Sequence, residues 1–275
     1  MYTVEREGTA LGATIVGLNL TRPLRDEDIV ALGQTLAEHQ VIFFRDQDIS
    51  YANHRAMGLR FGSLLRHPTY PTVEGYPEII ILQNDRENPP KIDEWHVDMS
   101  FTTTPPLGSI LIGRVVPESS GDTLFASLAA AYDDLPHAMK KTLAGLTATH
   151  SLEYGFRESL AEPGGRERLQ HAMDKNPDVV HPLVRAHPVT GRKLIFYSPT
   201  FMRNINGLNA QDSEDMLSFL RHHIVQDKYI YRFQWRQNSI AFWDNRSVIH
   251  MPVNDYWPAL RRMERVTIYD TTAAG

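Results

Sequence analysis

No cysteine occurs anywhere in the 275 residues, so disulfides, thiolate nucleophiles and Cys-ligated zinc or iron–sulfur centres are excluded together. Any metal must be held by His, Asp or Glu. A positive charge excess is missing too: 28 Lys and Arg stand against 33 Asp and Glu, a net charge of −5, with no basic stripe to neutralise phosphates. Nucleic acid is therefore not an expected partner. No apolar run approaches 18 residues, and MYTVEREGTA lacks a basic segment followed by a hydrophobic one, so neither a membrane nor a leader is expected and the cytoplasm is the simplest location. The Gly-rich strand-to-helix fingerprint of a doubly wound nucleotide fold is also lacking.

What is present is ordinary globular composition, 42% hydrophobic and 22% charged, which rules out disorder or coiled coil for the whole chain. Helical periodicity at Ile29, Leu32 and Leu36 follows the β-type runs of GTALGATIVGLNL, and QVIFFRDQ reads as a compact strand. ISYANHRAMGLRFG reads as a second helix. Residues 65–94 are Pro- and Gly-rich loops around one strand at Glu78–Leu82, placed to cover a site. EWHVDMSFTTTPP and GSILIGRVVP read as strands, and SLAAAYDDLPHAMKKTLAGLTATH as helix broken near Pro136. Residues 154–179 look like a polar insertion outside the core. HPLVRAHPVTGRKLIFYSP places a turn at Thr190–Gly191 between strands, and 212–225 form a helix capped at Asp212 or Ser213. YIYRFQW, NSIAFWDN and the segment ending at Tyr269 close the strand series. Many short strands with irregularly spaced helices predict one mostly-β domain over 1–275, a sandwich or barrel with surrounding helices.

Within WHVDM, His96 and Asp98 are two apart on a predicted strand, so both side chains project from one face. With His250, after SIAFWDNRSVIH, they make the two-histidine, one-carboxylate set of non-haem iron sites, which leaves three coordination positions open. The same three residues also suit Zn²⁺ with a bound water. Arg261 and Arg265 share a face of the last strand, and two guanidiniums aimed at the site favour an anionic cosubstrate and an anionic substrate. Taken singly, each histidine also fits a hydrogen-bonded core role, each arginine a surface role, and Gly121-Asp122-Thr123 a turn.

Together WHVDMSF, the Pro-Pro near Pro105, GDTLF, HPLVRAHPVTGRK, AFWDNRSVIH and the arginine pair occur in an order that resembles the taurine dioxygenase family, from about Leu11 to Tyr269. That group of iron(II)- and 2-oxoglutarate-dependent enzymes also includes alkylsulfatases and chlorophenoxyacetate dioxygenases. The resemblance implies a double-stranded β-helix, or jelly roll, of the cupin kind. It implies Fe(II) on His96, Asp98 and His250, with dioxygen as cosubstrate and the distal carboxylate of 2-oxoglutarate on Thr123 and Arg261. The taurine branch further implies a sulfonate held by His67 and Arg265, between walls of Tyr70, Phe156 and Phe201. The expected reaction is hydroxylation of a small anionic organosulfonate at the carbon bearing sulfur, releasing sulfite and an aldehyde beside succinate and CO₂.

Two departures stand out. Ile92 replaces the Asn that the taurine enzyme places near the substrate amine, which favours an uncharged tail. Ser120 replaces a second Gly before Gly121, a change in turn flexibility more than in chemistry. An alkylsulfatase releasing sulfate, or a non-enzymatic 2-oxoglutarate or metal sensor, are the alternatives. A homodimer or homotetramer is compatible with the resemblance.

Overall fold

Alternate residues of one short segment show how the layers are built. In Val41–Phe44 every side chain is buried. Ile42 and Phe44 join Leu32, Leu36, Ile112, Phe242 and Ile268 in one core, whereas Val41 and Phe43 join Phe125, Phe233, Trp243 and Val248 in another. A strand covered on both faces reads as an unbroken apolar run because both sets of its side chains leave water. The computed structural model describes residues 2–67 and 70–270.

The segment lies inside a nine-stranded sheet. From edge to edge the order is Thr3–Arg6, Ala13–Val16, Val41–Phe44, Ile240–Asp244, Gly108–Val115, Arg261–Tyr269, Tyr76–Asn84 and Thr72–Val73, with Ser63–Leu64 paired beside Arg261–Tyr269. The helices Asp26–His39 and Tyr51–Leu59 cover one face. Leu32 and Leu36 point inward from the first, and Ser50 caps the second by accepting from the Asn53 N–H. Against the other face packs a three-stranded site sheet of Ile230–Phe233, Thr123–Ser127 and Val248–Pro252. Phe43 stacks on Phe233 at 4.1 Å between ring centroids, locking the two sheets together. Outside the site sheet, Ala126 and Ile249 pack into a third core with the helices Leu128–Asp133 and Ala210–Ile224.

This pairing corrects the expected jelly roll. The large sheet ends on Thr3–Arg6 and Thr72–Val73, and the site sheet on Ile230–Phe233 and Val248–Pro252, so no sheet closes or curls into a barrel among the described residues. The mostly-β architecture with surrounding helices stands. Inward-facing apolar residues are equally satisfied by two open sheets packed face to face, which is why alternation alone did not exclude closure.

Smaller corrections have local causes. Thr147–His150 is a strand paired with Val179–Pro182 and Met202–Asn206, not the tail of a helix. The helix Ala210–Ile224 is capped by Asn209, whose side chain accepts from the Asp212 N–H, so the cap lies upstream of both expected residues. Leu152–Gly155, Arg157–Ala161 and Gly165–Lys175 are helices within and beside the polar stretch 154–179. No helix among the described residues is long and apolar enough to cross a membrane.

Two histidines away from the site make stability sensitive to acid. His54 Nε2 donates to the Ile110 carbonyl at 3.1 Å, and burial pushes the ring down to about 4. Burial, with His181 and Arg185 adding to it, pushes His150 down to about 3. Both rings stay neutral in the fold, while in the unfolded chain they take up protons near pH 6.5. The unfolded state then binds more protons, so stability falls as pH drops below about 6.5, by ~1.4 kcal/mol per pH unit for each ring until its folded value is reached. Urea midpoints are expected to be clearly lower at pH 5.5 than at pH 7.5, and equal midpoints would contradict this.

Candidate metal centre

His96 and His250 meet through their backbones before their side chains matter. Each N–H donates to the other's carbonyl, at 2.9 and 3.0 Å, in an isolated antiparallel bridge. Past that bridge the chain does not continue as the expected strand: Met99 turns with φ of +50°. Side chains replace the missing ladder. Ser198 Oγ accepts from the Val97 N–H at 3.1 Å, and the Asn245 amide accepts from the Asp98 N–H at 2.8 Å while donating to the Asp98 carbonyl at 2.9 Å. His96 and Asp98 therefore converge because their backbones are individually captured, not because of strand alternation.

The result is a buried cluster in which one ligand atom from each of His96, Asp98 and His250 lies within 4.8 Å of the others. His96 Nε2 and His250 Nε2 are 3.8 and 3.9 Å from Asp98 Oδ1. The Glu94 carbonyl lies 3.0 Å from His96 Nδ1 and can only accept, so the proton sits on Nδ1 and Nε2 keeps its lone pair for a metal. Burial pushes His250 down to about 3 and lowers His96 as well. Burial would raise Asp98, but Arg265, His250 and His96, with a hydrogen bond from Ser109, outweigh it and hold the carboxyl at about 2. Two neutral imidazoles and one carboxylate at neutral pH are the donor set that a divalent first-row ion takes.

Arg265 stands directly behind that carboxylate, its Nη1 donating to both Asp98 oxygens at 3.0 and 3.2 Å. Ser109 Oγ adds 3.2 Å to Oδ2. His67 is lowered to about 4 by burial and by Arg265, with Asp98 opposing, and its ring meets Tyr70 edge-on at 4.6 Å. A pocket of about 200 Å³ contains His96 and collects Tyr70, Ile92, Phe156 and Phe201 on its walls. Of the four, Ile92 is 44% exposed and Phe201 7% exposed.

Arg261 borders a neighbouring groove, whereas the buried Thr123 lines neither that groove nor the pocket at His96. A groove of about 660 Å³ includes Arg261 and shares Tyr70, Lys91 and Ile92 with the pocket at His96. Arg261 is 6% exposed, lies 5.3 Å from the Tyr256 ring, and has no hydrogen-bond partner at Nε. No carboxylate among the described residues is within ion-pair distance of it. Gly121 keeps this space open: its φ is +79°, and a Cβ there would lie 3.1 Å from the Arg261 side chain. Ser120, by contrast, occupies a position with no such demand. Thr123 Oγ1 accepts from Trp235 Nε1 at 2.9 Å, which leaves the hydroxyl hydrogen to be donated elsewhere.

Asn245, Ser109, Ser198 and Trp235 are the contributors that sequence reading missed. Asn245 sat inside the quoted AFWDNRSVIH, four residues after the strand residue Ala241, and its neighbour Asp244 also works structurally, accepting from His187 and Arg246. The others carry no sequence signal.

Comparison with known proteins agrees with this geometry. Residues 4–267 match the family described as "Taurine catabolism dioxygenase TauD, TfdA family". The chain is 33% identical to an alkylsulfatase of Acinetobacter baylyi, over 96% of this chain and 84% of that protein. It is 32% identical to an alpha-ketoglutarate-dependent sulfate ester dioxygenase of Pseudomonas putida, over 96% and 88%. Among solved structures, a taurine dioxygenase from Burkholderia xenovorans superposes with a TM-score of 0.83 at 30% identity, covering 97% of this chain and 89% of that one.

Proposed function

The chain belongs to the TauD, TfdA family of taurine catabolism dioxygenases and is a 2-oxoglutarate-dependent dioxygenase with a two-histidine, one-carboxylate metal centre, and from that premise we propose that it hydroxylates a small organosulfonate at the carbon bearing sulfur. One observation carries the choice: the pocket that contains His96 is walled by Tyr70, Phe156, Phe201 and Ile92, room for a short carbon chain beside the metal ligands.

Fe(II), when bound, supplies the coupling of dioxygen-driven decarboxylation of 2-oxoglutarate, to succinate and CO₂, with hydroxylation of the substrate. The protein's own groups bind and orient. Arg261, buried without a carboxylate partner, and the Thr123 hydroxyl, whose hydrogen Trp235 leaves available, receive the distal carboxylate of 2-oxoglutarate. Arg265 spends Nη1 on Asp98, and its Nε, buried without a partner, is left to donate to the sulfonate beside His67. Tyr70, Phe156 and Phe201 exclude water from the carbon that is to be attacked. In the hydroxylated product the C–S bond breaks with its electron pair leaving on sulfur as sulfite, the hydroxyl proton departs, and an aldehyde remains.

A second reading, an alkyl sulfate ester, is favoured by Ile92. An apolar side chain there offers no hydrogen bond to an ammonium group, and the similarity to an alkylsulfatase points the same way. Hydroxylation next to the ester oxygen would release sulfate. The two are separated by protein loaded with Fe(II) under anaerobic conditions, then given 2-oxoglutarate, oxygen and a panel of sulfonates and sulfate esters. Sulfite formed in step with succinate supports the first reading, sulfate the second, and succinate without either contradicts both.

Ile92 gives a sharper expectation. Ile92→Asn should shift the ratio of kcat/KM for taurine over butanesulfonate toward taurine by about tenfold or more, because an amide oxygen on the pocket wall accepts from an ammonium group and an apolar side chain does not. An unchanged ratio removes Ile92 from substrate selection.

A further inference from the structure

We propose that a cavity separate from the pocket at the metal centre, built around Arg185, binds a small organic anion with its oxyanion on the guanidinium and a short apolar body on Phe196. The cavity has a volume of about 420 Å³ and shares no lining residue with the pocket at His96 or with the groove at Arg261.

Arg185 is the reason to expect a ligand. Its guanidinium lies 3.8 Å over the Phe196 ring, and Nη2 donates to His181 Nδ1 at 2.6 Å. His181 cannot turn away, because its Nε2 faces the Ser100 and Thr102 carbonyls at 2.9 Å each, both acceptors only. The plane of the guanidinium is thereby fixed in advance. No carboxylate among the described residues lies within ion-pair distance of it, and burial lowers it to about 10. A cation taken out of water without a counter-charge is a standing cost, and a two-point hydrogen bond to an oxyanion removes it.

Arg246, Asp270 and His187, also on the wall, are already engaged. Arg246 donates to Asp244 through Nε and Nη2 at 2.8 and 2.7 Å and reaches Asp270 at 3.6 Å. His187 donates to Asp244 from Nε2 at 2.9 Å and accepts from the Val189 and Thr190 N–H groups at Nδ1. Arg185 is thus the wall cation left for a guest. Pro105, Leu107 and Phe196 line the remaining volume, more room than an inorganic oxyanion fills.

Calorimetric titration of the full metal-free chain tests this with butyrate, which carries head and body, and with inorganic sulfate, which carries the head alone. Butyrate is expected to bind more tightly than sulfate. Its affinity should fall about tenfold or more in Arg185→Gln and in Ala186→Asp, and persist in Arg261→Gln. Ala186 lines the same cavity and is exposed, so Ala186→Asp brings in a repelling carboxylate while leaving Arg185 on His181, and it decides the matter should Arg185→Gln fail to fold. Unaltered butyrate binding in Ala186→Asp, loss only in Arg261→Gln, sulfate binding as tight as butyrate, or no binding of either overturns the assignment.

Discussion

Asp98→Asn is expected to leave a chain that binds divalent metal at least about a hundredfold more weakly and turns over no 2-oxoglutarate above the metal-free background. Changes to groups that merely support a ligand already cost about 10–100-fold in metal affinity, and this one removes a ligand's charge. The arrangement sharpens the effect, because Arg265 Nη1 stands on the same two oxygens at 3.0 and 3.2 Å. Without the carboxylate, an incoming divalent cation faces a guanidinium with nothing between them. The metal-free fold suffers as well, since losing one partner of a buried pair costs about 3–5 kcal/mol. These two consequences separate in a double-mutant cycle. Adding Arg265→Gln should recover most of the lost stability, measured by urea unfolding, and recover none of the Mn(II) affinity, measured by titration. Metal affinity close to that of the parent in Asp98→Asn would remove Asp98 from the ligand set.

The triad was legible because its chemistry is carried by rare residue types at identifiable places: His96 and Asp98 two apart, and His250 after a strand that reads clearly as apolar. The reason given for their convergence was incomplete. Regular strand geometry was expected across WHVDM, whereas the backbone turns at Met99 and Asp98 is held by Asn245, a partner 147 residues away. No local pattern announces such a contact. Thr123 was named from its motif, but its contact with Trp235, 112 residues away, is invisible to sequence reading for the same reason.

Elements whose burial is one-sided or complete were found where expected, as in Asp26–His39, Val41–Phe44 and Gly108–Val115. Thr147–His150 was missed because TATH has neither alternation nor length and becomes a strand only through its two partners. The closed jelly roll failed on a different ground. Alternation says which side chains leave water, and the open sheets satisfy that demand through Phe43, Phe233 and Trp243 without any strand pairing between them.

Arg261→Gln is expected to act with opposite signs on the two states of the enzyme. In the absence of 2-oxoglutarate, Arg261 is a cation almost wholly removed from water, with Tyr256 at 5.3 Å as its main electrostatic relief and an Nε that bonds to nothing. Burial accordingly lowers its pKa from the usual guanidinium value. Replacing it with a neutral side chain of similar reach removes that desolvation cost, so the Tm of the cosubstrate-free protein should hold or rise. Under the proposed function the same group would make a charge-assisted contact with bound 2-oxoglutarate, and its loss should then cost about 2–5 kcal/mol, raising the KM for 2-oxoglutarate about thirtyfold or more. The KM for the organosulfur substrate should move little if it occupies the pocket at His96, which Arg261 does not line. A structural role for Arg261 predicts the reverse pattern, a lower Tm with the KM for 2-oxoglutarate unchanged. Measuring both quantities on one variant therefore decides whether the burial of this arginine serves the fold or the cosubstrate.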